Sequence, residues 1–325
     1  MKYILGLDTS CYTTSVALVD LDGNVLINKQ IPLVVEPGQR GLQQSKALFQ
    51  HLHRLPDIAD EVARAIDPKN GLEAICATCR PRPVEGSYMP VFMVSHLAGQ
   101  AFANLLGVPY YAVSHQESHI QAGIFSAGGP RSRRFLAIHL SGGTSELLNV
   151  TDTGTGFQIE ILGATQDLHA GQFVDRVGVA MGLKFPAGAY LEELALRGKD
   201  GYVAIPFSVN GLAISFSGPE AHAQRLLARG ASKEDVAIAV YNCLASTLER
   251  WILNAMEAPG ADVKNVLLVG GVASSAILRQ KLIHRLKKRD DAIRLYFADP
   301  SFSRDNAVGT ALLGLKLYRR FTEGG

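Results

Sequence analysis

Residues 4–10 read ILGLDTS, and residues 135–145 read FLAIHLSGGTS. Each is an apolar run that ends abruptly in small polar residues, Asp8-Thr9-Ser10 in the first and Ser141-Gly142-Gly143-Thr144-Ser145 in the second. Around each of them the chain repeats one plan. After Asp8-Thr9-Ser10, residues 15–19 form a second apolar run, Asp22-Gly23 marks a hairpin turn, and residues 24–31 read as a third strand. After Ser141-Gly142-Gly143-Thr144-Ser145, residues 146–150 continue as a strand, Thr153-Gly154-Thr155-Gly156 turns, and residues 157–162 close the meander. A three-strand unit that recurs after about 130 residues predicts a duplicated α/β architecture with two similar lobes.

Between and beyond the repeats the apolar spacing is helical. It predicts helices over 42–66, broken near Pro56, and over 92–106, 116–125, 164–183, 190–196, 232–256, 274–289 and 306–320. Residues 72–78, 110–113 and 266–269 read as further strands. The composition, 47% hydrophobic and 19% charged over 325 residues, is enough to build a large core. A net charge of +2 provides no global field for nucleic acid, so any RNA contact must be local. Four cysteines are too few for a disulfide framework. The amino-terminal apolar run is too short for a signal peptide, and no stretch approaches the ~18 apolar residues of a membrane span. The expectation is a cytoplasmic protein with no membrane partner.

Five sites have residue types suited to chemistry. Asp8-Thr9-Ser10 is a candidate phosphate loop, as is Ser141-Gly142-Gly143-Thr144. Backbone N–H groups in such loops can cradle phosphate oxygens, and their repetition favours that reading over ordinary hairpin turns. Val266-Leu267-Leu268-Val269-Gly270-Gly271 is a strand ending in two glycines before a helix, an arrangement suited to nucleotides or simply to a turn at positive φ. In His115-Gln116-Glu117-Ser118-His119 the i, i+4 spacing puts two imidazoles on one helical face, within reach of one Zn or Fe ion. Surface or capping histidines are the alternative, and spacing alone leaves both open. Glu117 is rotated ~200° from His115 at 3.6 residues per turn, which argues against a His-Glu-x-x-His peptidase mechanism. Cys76-Ala77-Thr78-Cys79 lacks a second pair and reads as two buried thiols rather than a zinc or redox motif. Residues 279–289 are basic, with Leu278, Leu282 and Leu286 turned inward. The cations of that helix, like Arg131, Arg133 and Arg134, read as a solvated face before an RNA contact.

Taken together, these motifs resemble the tRNA threonylcarbamoyl-adenosine transferases, the TsaD family, formerly called glycoproteases. The resemblance runs from Ile4-Leu5-Gly6-Leu7-Asp8-Thr9-Ser10-Cys11 through Val113-Ser114-His115 to His119, then Leu140-Ser141-Gly142-Gly143-Thr144. It continues in Gly171-Gln172-Phe173-Val174-Asp175, Ile214-Ser215-Phe216-Ser217-Gly218 and Val269-Gly270-Gly271-Val272, and ends at Ser303-Arg304-Asp305-Asn306-Ala307. It implies the actin-like ATPase fold shared by actin, hexokinase and heat-shock chaperones, with two lobes around a cleft. The lobes expected are 1–131 with 306–325, and 132–305. The resemblance also implies that His115, His119 and Asp305 ligate Fe or Zn. It assigns His139, Leu140, Ser141, Gly142, Gly143, Asp175 and Gly188 to an adenine nucleotide, ATP, AMP or an acyl-adenylate. Gly270, Gly271 and Ser275 join that nucleotide set, Ser275 standing where the family has Asn. The implied activity is metal-dependent acyl transfer, moving a threonylcarbamoyl or carbamoyl group from an adenylate to a tRNA adenosine.

The chain departs from the family at Tyr12-Thr13, which replace Asp-Glu, and at Arg80-Pro81-Arg82, which replace Gly-Pro-Gly. Pro219 and Glu220 replace a Leu-Lys pair, and Ala187-Gly188-Ala189 replaces Gly-Gly-Pro. The reading is therefore of a diverged paralogue. Alternatives are a carbamoyltransferase with a different acceptor, or a non-catalytic nucleotide-binding subunit. A paralogous partner subunit through the first lobe is a further expectation.

Overall fold

The computed structural model describes residues 1–10, 12–35, 42–257, 263–303 and 305–322. Cys11 and Arg304, both within the family motifs, lie outside the described residues. The chain forms two compact units. The first comprises residues 1–126, 152–158 and 301–325, and the second residues 127–151 and 159–300.

The first unit opens with a meander of β1 (Tyr3–Ser10), β2 (Thr13–Asp20) and β3 (Val25–Pro32). All of β1 is buried, which is why it reads as a continuous apolar run. The β2–β3 turn is held by the Asp20 carboxylate, which accepts the N–H groups of Asp22 and Asn24, and Gly23 takes φ 89°. Helices α1 (Gln44–Ala65) and α2 (Pro68–Gly71) lead to β4 (Leu72–Arg80). Helix α3 (Phe92–Leu106), β5 (Tyr110–Ser114) and α4 (His115–Ala127) follow. The sheet order is β3-β2-β1-β4-β5, with β1, β4 and β5 parallel.

The second unit repeats the plan. Its meander is β6 (Arg134–Leu140), β7 (Ser145–Asp152) and β8 (Phe157–Ala164), with Gly154 at φ 86° in the turn. Then come α5 (Ala170–Ala180), α6 (Gly188–Ala195), the small hairpin β9 (Ser208–Asn210) and β10 (Ala213–Ser215), α7 (Ser217–Ala228) and α8 (Lys233–Met256). Strand β11 (Asn265–Val269), α9 (Ala276–Lys287) and β12 (Arg294–Phe297) complete it. The order β8-β7-β6-β11-β12 matches that of the first sheet, strand for strand. The chain then returns to the first unit in α10 (Val308–Thr322).

Core packing in the first unit lies on both sheet faces. Leu5, Leu7, Val16 and Leu18 face α1 and α3, whereas Ile4, Ala17 and Val19 pack on α10. The approach of α10 is close. A Cβ on Gly6 would lie 2.5 Å from the Ala307 carbonyl oxygen, and one on Gly309 would lie 1.8 Å from that of Ser118. These glycines seat α10 against β1 and α4, and so fix the segment that carries Asp305.

Two expectations fail. Helix α1 runs unbroken through Pro56, because Pro56 and Leu52 both lie on its exposed side and water can take the carbonyl that the ring deprives of a donor. A single helix over 164–183 does not form. Thr165 bridges to Ile214, and the Asp167 carboxylate accepts the N–H groups of Leu168 and Phe216 and the hydroxyl of Ser215, which anchors a turn before α5. The β9–β10 hairpin, α7 and β12 carried too few periodic residues to be read as elements.

Candidate metal centre and nucleotide loops

Strand β1 delivers Asp8 into the interior of the first unit, where it is fully buried. Its Oδ1 accepts from the Thr78 hydroxyl at 2.6 Å and lies 3.2 Å from His115 Nδ1, while Oδ2 accepts from Ser10 at 2.7 Å. Thr9 donates to the Val91 carbonyl, and its own oxygen accepts the Ser95 N–H; Ser95 in turn donates to the Thr78 carbonyl. The side chains of the loop Asp8-Thr9-Ser10 are thus engaged with one another and with β4 and α3.

With Nδ1 turned to Asp8, His115 presents Nε2 to the opposite side. There His119 Nε2 lies 3.0 Å away, and Asp305 Oδ1 lies 3.5 Å from His115 Nε2 and 3.3 Å from His119 Nε2. The i, i+4 spacing on α4 aligns the two rings, and the segment just before α10 brings the carboxylate. Among the described residues, these three side chains form a group that could hold one metal ion. The donor chemistry fits. Bonds of about 2.0–2.1 Å at tetrahedral angles put ligand atoms about 3.3 Å apart, which the three observed separations bracket. Two imidazole nitrogens facing each other at 3.0 Å also need a cation or a proton between them.

Electrostatics agree with a centre built for positive charge. Burial opposes the charge on His115, but Asp8 and Asp305 outweigh it and push the pKa up to about 10. Burial likewise opposes ionisation of Asp305, yet the two histidines hold its carboxyl far below the usual carboxylate range. Asp8 is also held low, His115 overcoming the effect of burial.

Glu117 points elsewhere. Its Oε2 accepts from the N–H and hydroxyl of Ser114 and its Oε1 from the Phe157 N–H, as the ~200° rotation requires. Cys76 is fully buried and Cys79 partly buried, and burial pushes both thiols up. Neither is poised as a thiolate. Tyr12, at the β1–β2 turn, is 46% exposed, and the Pro81 carbonyl accepts the Gln116 N–H, docking Arg80-Pro81-Arg82 on the start of α4.

One neighbour was invisible in the sequence. His51 of α1 is fully buried, with Nδ1 2.7 Å from the Thr14 hydroxyl and Nε2 without a partner among the described residues. Burial lowers its pKa to about 4 against the pull of Asp8 and Asp305. It shares its helix with Phe49 and Leu52, so the apolar period gave no hint of it.

In the second unit the glycine loops gather at one sheet end. Strands β6 and β11 are parallel with Val269 opposite His139, so Ser141-Gly142-Gly143 and Gly270-Gly271 emerge side by side. The Leu140 carbonyl accepts the Val272 N–H, and Gly270 takes φ 99° with no room for a Cβ beside that carbonyl. The amino terminus of α5 abuts the first loop. Gly171 N–H donates to the Ser141 carbonyl, and a Cβ on Gly171 would meet Gly142 at 2.7 Å. Gly142, Gly143 and Gly271 are exposed, with open space where a Cβ would project. Asp175 accepts the Ala187 N–H at 2.7 Å, beside Gly188, and burial raises its pKa. Ser275 caps α9 by accepting the Leu278 N–H and donates to Glu192 of α6, so its hydroxyl is already engaged.

The profile described as TsaD, tRNA N6-adenosine threonylcarbamoyltransferase, matches residues 25–312. The chain belongs to the TsaD family. The tRNA N6-adenosine threonylcarbamoyltransferase of Thermus thermophilus is 32% identical over 99% of this chain and 94% of its own length. The enzyme of the same name from Archaeoglobus fulgidus is 29% identical over 97% of this chain and 91% of its own length. Among solved structures, HypF from T. kodakarensis superposes with TM-score 0.60 at 17% identity, over 99% of this chain and 48% of that one. The activator of 2-hydroxyisocaproyl-CoA dehydratase from Clostridium difficile, with bound ADPNP, gives TM-score 0.55 at 14% identity, over 99% and 98%. This TsaD-family chain therefore has the actin-like ATPase fold, as its repeated strand order indicated. No described helix is long and apolar enough to cross a membrane.

Proposed function

We propose that the chain transfers a threonylcarbamoyl or carbamoyl group from an acyl-adenylate to the N6 amine of a tRNA adenosine. The observation that carries this reading is the convergence of His115, His119 and Asp305 in a family of that activity. These three side chains would hold one divalent ion, and two imidazoles with a carboxylate suit Fe or Zn. When bound, such an ion supplies Lewis-acid polarisation of the carbonyl under attack.

The chain's own residues do the rest. Asp8 orients His115 through Nδ1 and keeps Nε2 aimed at the ligand cluster. The backbone of Gly142, Gly143, Gly270 and Gly271 accommodates the adenylate, and the amino terminus of α5 favours its phosphate. In the reaction the amine nitrogen bonds to the carbonyl carbon, the bond from that carbon to the phosphate oxygen breaks, AMP leaves, and the amine gives up a proton. We assign this activity to the cytoplasm, with a paralogous subunit as partner; the apolar side chains Phe49, Leu52, Leu97 and Leu105, exposed on α1 and α3, support an interface there.

A second reading keeps the adenylate chemistry and changes the acceptor. Exposed Tyr12 and half-buried Thr13 stand where the family carries two acids, and Glu220 where it carries Lys, so both positions differ in charge.

The test uses labelled acyl-adenylate with tRNA and, in parallel, small amine acceptors. Label on tRNA that disappears in His115→Ala supports the first reading. Label only on small amines supports the second. Transfer that survives complete metal removal defeats both.

A further inference from the structure

The second unit carries a groove of about 680 Å³ that belongs to neither set of loops described above. Its walls are α8, α9 and the segment around residues 200–205. Four cationic side chains, Lys281, Arg285, Lys288 and Arg289, line it against two carboxylates, Asp200 and Glu249.

The cations are not a loose surface fringe. Glu249 of α8 is 7% exposed, and it grips both guanidinium groups. Arg289 Nε donates to Oε1 at 2.8 Å, and Arg285 Nη1 donates to Oε2 at 3.1 Å. One buried carboxylate thus fixes two forks, each with further N–H groups uncommitted to it. Lys281 is held by Asp200 at 2.7 Å, and Asp200 is braced by the Asn242 amide at 2.7 Å. Lys288 and His284 are exposed, and their side chains have no ion pair or hydrogen bond among the described residues. Cations at 281, 285 and 288–289 recur once per helical turn, about every 5.4 Å along α9 and its last turn. A row of cations at that spacing along a concave wall, three of them held by carboxylates, fits successive charges on an extended polyanion rather than a single ion.

We propose that this groove seats the phosphodiester backbone of RNA. The choice of RNA among polyanions rests on the tRNA acceptor proposed above; the cationic row does not. The inward stripe Leu278, Leu282 and Leu286 anchors the helix in the core, so its basic face is presented without cost to the fold.

The test is binding of a full-length tRNA transcript to the intact protein, by fluorescence anisotropy across a salt series, with tripolyphosphate as competitor. The variants are Lys288→Glu, which breaks no ion pair among the described residues, and Arg289→Gln, which keeps a donor for Glu249. Thermal melts confirm that both fold. The expected result is tRNA binding weakened by about five-fold or more, with a salt slope shallower by about one per lost contact, and competition by tripolyphosphate. Two results overturn the proposal: variants that bind tRNA like the wild type, or a wild type that binds tripolyphosphate in a Lys288-dependent way but not tRNA. Transfer at saturating tRNA, measured on the same preparations, reads the proposed reaction separately. A protein that binds tRNA through the groove but transfers nothing retains the groove and loses the reaction.

Discussion

Asp8 Oδ1 and His115 Nδ1 lie 3.2 Å apart in the interior of the first unit, joining the strand that opens the chain to the helix that carries the histidine pair. The contact fixes which ring nitrogen faces the other ligands, and Thr78 and Ser10 fix the carboxylate in turn. Such a partner raises the basicity of a ligating imidazole and sets its tautomer. Asp8→Asn is expected to keep the fold and weaken metal affinity by about 10–100-fold. Titration against a competing chelator at neutral pH measures it, and unchanged affinity would remove Asp8 from the centre.

Alkaline stability of the metal-free protein follows from His115. Its pKa is about 10 in the folded state against 6.5 for a free histidine, so the folded protein holds a proton that the unfolded chain releases. The resulting stability is complete below about pH 6.5 and is lost as pH rises towards 10. Urea unfolding in the presence of chelator should show this decline, and His115→Gln should flatten it. A wild-type curve as flat as the variant's would refute the assignment.

His51 governs the acid side with the opposite sign. Its folded pKa of about 4 lies below the ordinary histidine value of 6.5, so the unfolded chain takes up a proton first. Stability from this group is complete above about pH 6.5 and is lost as pH falls towards 4. His51→Leu should show a shallower loss between those limits, read from melting temperatures in matched buffers.

The seating of α10 is testable without reference to ligands. A Cβ at Gly309 would lie 1.8 Å from the Ser118 oxygen, and α4 and α10 cannot both stay in place. Gly309→Ala is expected to cost about 1–3 kcal/mol of stability, the usual penalty of overpacking, and to loosen metal binding because Asp305 precedes α10. Denaturant midpoints and metal titration together check this. A variant as stable as the wild type would show that the helix has slack.

Much of this was legible in the sequence because the repeat is written in residues whose roles are local. An apolar run, a hydroxylic turn and an Asp-Gly or Thr-Gly hairpin specify a meander wherever they occur, so the duplication appeared before any contact was known. The i, i+4 histidines were equally plain. What escaped depends on long-range packing. His51 became a neighbour of the centre only because α1 buries that one position against Thr14. Thr78 joined Asp8, and Ser95 joined Thr9 and Thr78, only because β4 pairs with β1 and α3 packs beside it. Pro56 misled because its damage depends on which side of the helix meets water. The turn at Asp167 was hidden because its partners, Ser215 and Phe216, lie far along the chain.

Metal stoichiometry in the purified protein is the most direct test of the centre. Elemental analysis after reconstitution should find about one Fe or Zn per wild-type chain. It should find none in His115→Ala, His119→Ala or Asp305→Asn, each still folded by its melt. One tightly held ion remaining in all three variants would contradict the account.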